Sequence, residues 1–290
     1  MNSSTVEFIP SQIRHNYQIC NQTILLFNAN GLKSCIQPVL NYLIQNNIQL
    51  ACITETHLCE RDLLNKQILL HANHKSPSLP KGQAGVAIIA NPNYNIEISS
   101  VGCDEGDGSF IVFKWNEVCY ILHYITPAKD QASVIQQLSE AENLAIQSGC
   151  EQRILLGDFN ARSELFNDRL TTTRGEILEQ FTNSYQYQHC PPDNAIQTTF
   201  VYHNNHSSVI DLIFSKNLQC STSIDRAATL STSPHLPVLA TIQSANGSII
   251  SEQRPRRMLK IERLLEAAVR KQLNLQIQNN SRPLQFLIEE

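Results

Sequence analysis

The chain has 290 residues, 42% hydrophobic and 17% charged, with a formal net charge of -4. That length suits one large α/β domain with a sizeable core, or two small ones, and the acidic balance excludes a globally basic nucleic-acid binder. A nucleic-acid partner would have to meet Lys and Arg concentrated on one face.

Residues 1–22 read as a polar leader without the apolar core of a signal peptide. Thr23–Phe27 is a short apolar run that stops at the turn-like Asn28-Ala29-Asn30-Gly31, as a buried strand would. Ile36, Val39, Leu40, Leu43 and Ile44 then recur at helical spacing up to Asn46-Asn47. A second apolar run, Ile48–Thr54, ends at Glu55. Strand, helix, strand, with polar residues at both strand ends, is where layered α/β sheets carry their chemistry.

Past a loop holding Pro77, Pro80 and Gly82, strands are expected at Gly85–Ala90, Ile96–Val101, Phe110–Trp115 and Val118–Tyr124, with Asn116-Glu117 as a tight hairpin turn. Val134, Leu138, Ala141 and Ala145 mark an amphipathic helix. Arg153–Leu156 is a strand running into Gly157-Asp158-Phe159-Asn160. A helix is expected from about Gly175 to Asn183, then strands at Thr198–Tyr202, Val209–Phe214 and Val238–Ile242. After Gln243 the composition turns linker-like, and Arg254-Pro255-Arg256-Arg257 opens a basic stretch with a helix-compatible pattern over Leu259–Leu275. The domain boundaries are therefore set at 23–243, with 244–290 as linker and helical tail.

The nine cysteines include no C-x-x-C pair, which points to reduced thiols inside the cell and provides no zinc set. The apolar runs are strand-length, so no membrane span is expected.

Four segments place Asn28 and Asn30, Glu55, Asp158 and Asn160, and Asp211 with His235 at expected strand ends. Cleaving a phosphodiester requires phosphoryl charge to be neutralised, water to be activated and the leaving oxygen to be stabilised. A hard cation such as Mg²⁺ takes one or two carboxylates and keeps several waters, a style that Glu55 supported by Asn28 fits. Asp158 suits a proton acceptor for water, with Asn160 on a phosphate oxygen. A histidine held by a buried carboxylate stays oriented and protonated, as Asp211 and His235 would allow. Each signal alone has an ordinary reading: a turn, a surface Glu, a loop, a capping Asp. In this order they point together.

The set Asn28-Ala29-Asn30-Gly31-Leu32, Glu55-Thr56-His57, Tyr124, Gly157-Asp158-Phe159-Asn160-Ala161, Thr199-Phe200, Ser208–Leu212 and Ser233–Val238 resembles the endonuclease/exonuclease/phosphatase superfamily. Within it, Asn30 and the Glu-Thr-His-Leu at Glu55–Leu58 are similar to the apurinic-type endonuclease domain of non-LTR (LINE-like) retrotransposons. The resemblance implies a four-layered α/β sandwich of two packed mixed sheets flanked by helices. It also implies a monomeric, Mg²⁺-dependent (or Mn²⁺-dependent) enzyme that nicks DNA, expected in the nucleus and once joined to a reverse transcriptase domain.

By that resemblance Glu55 and Asn28 would hold the metal and Tyr124 would contact the scissile phosphate. Asp158 would align or deprotonate the water, Asn160 would hold the phosphate, and Asp211 would orient His235. Asn30 and Thr199 would face the substrate. The loop 202–208, with His203, Asn204 and Asn205, would reach the DNA minor groove. Tyr124 also reads as a half-buried strand aromatic, and His203 and His206 as solvated loop residues. One position departs: Pro234 stands where the family has an Asp that joins the metal or its water, and proline offers no side-chain oxygen. Two other readings are therefore open, namely a phosphoesterase for another substrate and a non-catalytic nucleic-acid-binding copy.

Overall fold

The computed structural model describes residues 20–58, 65–72, 84–104, 106–193, 197–201 and 207–244. The leader up to residue 19, the tail from 245, and His203, Asn204, Asn205 and His206 lie outside the described residues.

The chain runs β1 (Cys20–Asn28), α1 (Ile36–Gln45), β2 (Leu50–Thr54), β3 (Ile68–Ala72), β4 (Val86–Ala90), β5 (Ser99–Cys103), β6 (Phe110–Trp115) and β7 (Val118–Tyr124). It continues with α2 (Gln131–Gln147), β8 (Arg153–Asp158), α3 (Thr173–Ser184), β9 (Gln188–His189), β10 (Phe200–Val201), β11 (Ser207–Ser208), β12 (Asp211–Lys216), β13 (Gln219–Ile224) and β14 (Val238–Ser244). β1 thus begins inside the stretch expected to be leader, and residues 20–22 belong to the sheet.

Two six-stranded sheets form, in the orders β13-β14-β1-β2-β4-β3 and β5-β6-β7-β8-β12-β9. Both are mixed: β1 pairs with β2, and β7 with β8, in parallel, while the other ladders are antiparallel. Alternation along each strand divides its side chains between two layers. Ile24, Leu26, Cys52 and Ile88 from the first sheet meet Ile111, Phe113, Leu122 and Leu156 from the second. The alternate residues Leu25, Phe27, Ala51 and Ile53 lie under Val39, Leu40 and Leu43 of α1. On the far side, Val112, Ile121, Leu155 and Leu212 lie under Val134, Leu138 and Ala141 of α2 and Leu178 of α3. Central strands buried on both faces must be apolar throughout, which is why β2 and β4 read as unbroken runs. No helix among the described residues is long and apolar enough to cross a membrane.

Local chemistry sets the ends of the elements. Asp130 caps α2 by accepting from the Ser133 amide at 3.0 Å, and Thr172 caps α3 by accepting from the Gly175 amide at 3.2 Å. A Cβ on Gly175 would stand 1.9 Å from the Arg162 carbonyl oxygen, so only glycine lets α3 start there. Asn116 and Glu117, at φ 47° and 64°, make the expected tight turn.

The strand expected at Ile96–Val101 begins only at Ser99, because Ile96 and Ile98 pack against the inter-sheet core before pairing starts. β3 and β13 escaped detection. Both border the sheet: β13 has no apolar run, and that of β3 is only Ile68–Leu70, part-buried and cut short by His71.

Candidate active site

One end of both sheets carries the polar residues. Asn28 ends β1, Glu55 follows β2, Tyr124 ends β7, Asp158 ends β8 and Asp211 opens β12. Register completes the gathering: Asp158 lies opposite both Tyr124 and Asp211 on its neighbouring strands, and His235 precedes β14, which pairs with β1.

Asn28 joins the two sheets. Its fully buried Nδ2 donates to Glu55 Oε1 at 3.0 Å and to Asp158 Oδ2 at 2.8 Å, while its Oδ1 accepts the Asn30 amide at 3.1 Å. With its oxygen on a backbone amide and its nitrogen on two carboxylates, Asn28 holds the acidic groups of both sheets in place.

Glu55 takes up a left-handed backbone conformation, φ 49°, costly for a long side chain. The flanking bonds impose it: the Gly31 amide donates to its carbonyl at 2.8 Å and the Thr56 amide to Gly85 O at 3.1 Å. His57 Nε2 lies 3.7 Å from its carboxylate.

Asp158, Asp211 and His235 form a buried trio with potential ligand atoms within 4.8 Å of one another. His235 Nδ1 bonds Asp211 Oδ2 at 2.8 Å, and its Nε2 lies 3.8 Å from Asp158 Oδ2. Burial pushes the imidazole toward neutrality, but the charge and hydrogen bond of Asp211, aided by Asp158 and Glu55, outweigh it and raise the pKa to about 9. Charged in this way, the imidazole is placed as an acid oriented by the Asp211 carboxylate. Burial, followed by the nearby Asp211 charge, lifts Asp158 well above the usual carboxylate range, with His235 and Asn28 opposing. The second oxygen of Asp211, Oδ1, is buried without a hydrogen-bond partner.

Thr199 is fully buried, and its hydroxyl accepts the Ile210 and Asp211 amides, each at 3.1 Å. It fastens the start of β12 beneath the site. Tyr124 is nearly buried, and burial together with the Glu55 carboxylate keeps its hydroxyl protonated. Asn160, at φ 46°, donates its amide nitrogen to Ile125 O at 3.0 Å, and its own N–H donates to Asp158 Oδ1 at 3.1 Å. Asn30 is exposed at the cleft edge.

Three supporting residues had been given no role. Ser233 Oγ donates to Asn28 O at 2.7 Å and accepts the His235 amide at 3.2 Å, tying the histidine loop to β1. Phe200 sets its ring edge-on to His235 at 4.8 Å. Arg174 bonds the carbonyls of Asn160, Pro127 and Lys129 at 3.3, 3.0 and 2.9 Å, fixing the loops that follow β8 and β7 to each other. Ser233 and Phe200 stand within the marked motifs, whereas nothing in the sequence distinguished Arg174 from a solvated helix residue. Asn28, Asn30, Glu55, Phe200, Pro234 and His235 line a cleft of about 420 Å³.

The Glu55 side of this cleft fits a hard divalent cation: a half-exposed carboxylate, a second one across Asn28, and room for water.

Residues 118–239 match the family model described as endonuclease-reverse transcriptase. No curated protein sequence matches. Among solved structures, the chain is similar to a 3'-5' exonuclease from Neisseria meningitidis, at 17% identity and a TM-score of 0.59 over 77% of this chain and 100% of that one. It is likewise similar to the endonuclease domain of TRAS1, a telomere-specific non-LTR retrotransposon, at 15% identity and a TM-score of 0.59 over 77% of this chain and 98% of that one. An AP endonuclease from Archaeoglobus fulgidus matches at 17% identity and a TM-score of 0.56, covering 76% of this chain and 99% of that one. The expected resemblance and the four-layered α/β fold are both borne out.

Proposed function

We propose that this chain, which has the nuclease-type endonuclease/exonuclease/phosphatase fold, is a divalent-metal-dependent phosphodiesterase that nicks DNA, as a retrotransposon endonuclease would at its target. The observation that carries the reading is the Asn28 bridge, which brings Glu55 and Asp158 from different sheets to one cleft beside an Asp211-oriented His235.

Glu55 would hold Mg²⁺ or Mn²⁺, which when bound neutralises charge on the phosphoryl oxygens. Asp158 accepts the proton of the attacking water through a carboxylate oxygen. A base whose pKa has been raised toward the working pH does this best. His235 Nε2–H is directed into the same space and stabilises charge developing on the phosphoryl group. The neutral Tyr124 hydroxyl donates to a phosphate oxygen, and Asn160 braces Asp158 through its backbone amide. The Asp that the family carries before the histidine is Pro234 here, so Glu55 works with one carboxylate fewer. With genomic DNA as substrate, the protein would act in the nucleus, and its ancestor would have been joined to a reverse transcriptase.

The test is nicking of supercoiled plasmid in Mg²⁺ or Mn²⁺ by the wild type and by Glu55→Gln. Activity should vanish with EDTA and drop at least a hundredfold in the variant. DNA binding without cleavage in either metal would sink this reading in favour of a non-catalytic binding module, the outcome Pro234 favours.

A further inference from the structure

At the opposite end of the sandwich, β9 of one sheet and β13 of the other come together. Pro192 and Thr222 form a parallel bridge, the Asp193 amide donates to Thr222 O at 2.9 Å, and Thr222 Oγ1 donates to Cys190 O at 2.8 Å. Counting back two residues in parallel register from that bridge sets Cys190 opposite Cys220. A disulfide needs Cα atoms roughly 4.4–6.8 Å apart, and the 2.8 Å bond from Thr222 Oγ1 to Cys190 O holds the two segments in close contact at this point. Both side chains belong to the layer between the sheets, Cys190 buried and Cys220 packed against it. They line a cleft of about 370 Å³ that opens to solvent beside His189, Ser215 and Gln219.

We propose that Cys190 and Cys220 are an oxidisable dithiol, a modification site that closes to a disulfide in response to a peroxide and covalently joins the two sheets. Of the two, Cys190 is the nucleophile. Its sulfur lies 3.4 Å from the Ser215 hydroxyl, which favours the thiolate against the opposing effect of burial. Thiolate character of this kind selects which cysteine a peroxide attacks.

In the first step Cys190 sulfur attacks one peroxide oxygen, the O–O bond breaks, and the departing oxygen leaves as water with the thiol proton. That leaves a sulfenic acid on Cys190. Cys220 sulfur then attacks Cys190 sulfur, the S–O bond breaks, and the hydroxyl leaves as a second water with the Cys220 proton. Two thiols have given up two protons and two electrons, and one hydrogen peroxide has become two waters. The loop so closed runs from 190 to 220 and contains Thr199, Phe200 and Asp211, so the bond would tether the segment that supplies the site's orienting carboxylate to the opposite sheet.

The full chain, purified reduced and freed of reductant, is treated with equimolar hydrogen peroxide, alkylated with iodoacetamide and digested without reduction for mass spectrometry. The expected product is one cross-linked peptide pair joining Cys190 to Cys220, lost on adding dithiothreitol. In Cys220→Ser, Cys190 should stop at the sulfenic acid and be trapped by dimedone. Separate alkylation of both cysteines after the peroxide is consumed would overturn the proposal. So would pairing of either with a different cysteine, or no dimedone adduct at Cys190 in the folded variant.

Discussion

Asp211→Asn removes one charge and keeps the shape, so it isolates what the carboxylate does for His235. At pH 7.5 a group with a pKa of about 9 is almost wholly protonated. Without the Asp211 charge, burial is the dominant influence left, and it acts downward. Even an imidazole restored to its ordinary value near 6.5 would be only ~10% protonated at pH 7.5. Protonation alone therefore lowers the rate at least about tenfold, and weakening a 2.8 Å charge-assisted bond removes about 1.5–3 kcal/mol more. The expected loss at pH 7.5 is on the order of a hundred- to a thousandfold.

The assay is initial-rate plasmid nicking at saturating Mg²⁺ across pH 6–10. Wild type should lose activity on the alkaline side near pH 9, and Asp211→Asn below about pH 6.5. Thermal stability gives a second reading. The folded pKa of His235 lies above the unfolded one, so its contribution is complete below about pH 6.5 and disappears as pH rises through about 9. Asp211→Asn should flatten that fall. An alkaline limb that stays near pH 9 in the folded variant would refute the assignment of His235 as an acid held charged by Asp211.

Other substitutions test the frame. A Cβ on Gly157, at φ 152°, would stand 2.0 Å from the His123 carbonyl oxygen across the central parallel pair. Gly157→Ala should therefore cost more than about 4 kcal/mol and yield little folded protein. Gly149→Ala meets nothing within 4 Å and is strained only by its φ of 73°, so about 1 kcal/mol is expected. Chemical denaturation of the pair checks the ranking, and equal losses would contradict it. Pro234→Asp adds a carboxylate to the cleft and leaves intact the carbonyl that accepts the Val201 amide at 2.9 Å. It should raise nicking or shift the Mg²⁺ midpoint to lower concentration, and titration showing neither would mean that the site does not lack an oxygen there.

The central strands and the chemistry at their ends were legible because both obey local rules. An unbroken apolar run such as Ile48–Thr54 has to be a doubly buried strand, and a polar residue at its end has to face the loop side. What the sequence hid was relational. The resemblance marked Asn28 as a residue of the site, but only the folded chain shows that its side chain bridges Glu55 and Asp158 from different sheets. Thr199 looked like a contact residue, yet its hydroxyl is taken up by two amides eleven and twelve positions away. Edge strand β13, with the sequence QCSTSI, has no pattern to distinguish it from a loop.

The earliest and the latest of the described strands are neighbours: Leu26 of β1 stands opposite Val238 of β14. During synthesis the first sheet must therefore wait, with one flank of β1 unpaired, until residue 244 has cleared the ribosome. A nascent chain released before then would expose an adhesive ladder flanked by Ile24 and Leu26 to any other strand in reach. Shortened copies should accordingly be recovered as aggregates or degradation products, not as soluble fragments with partial activity.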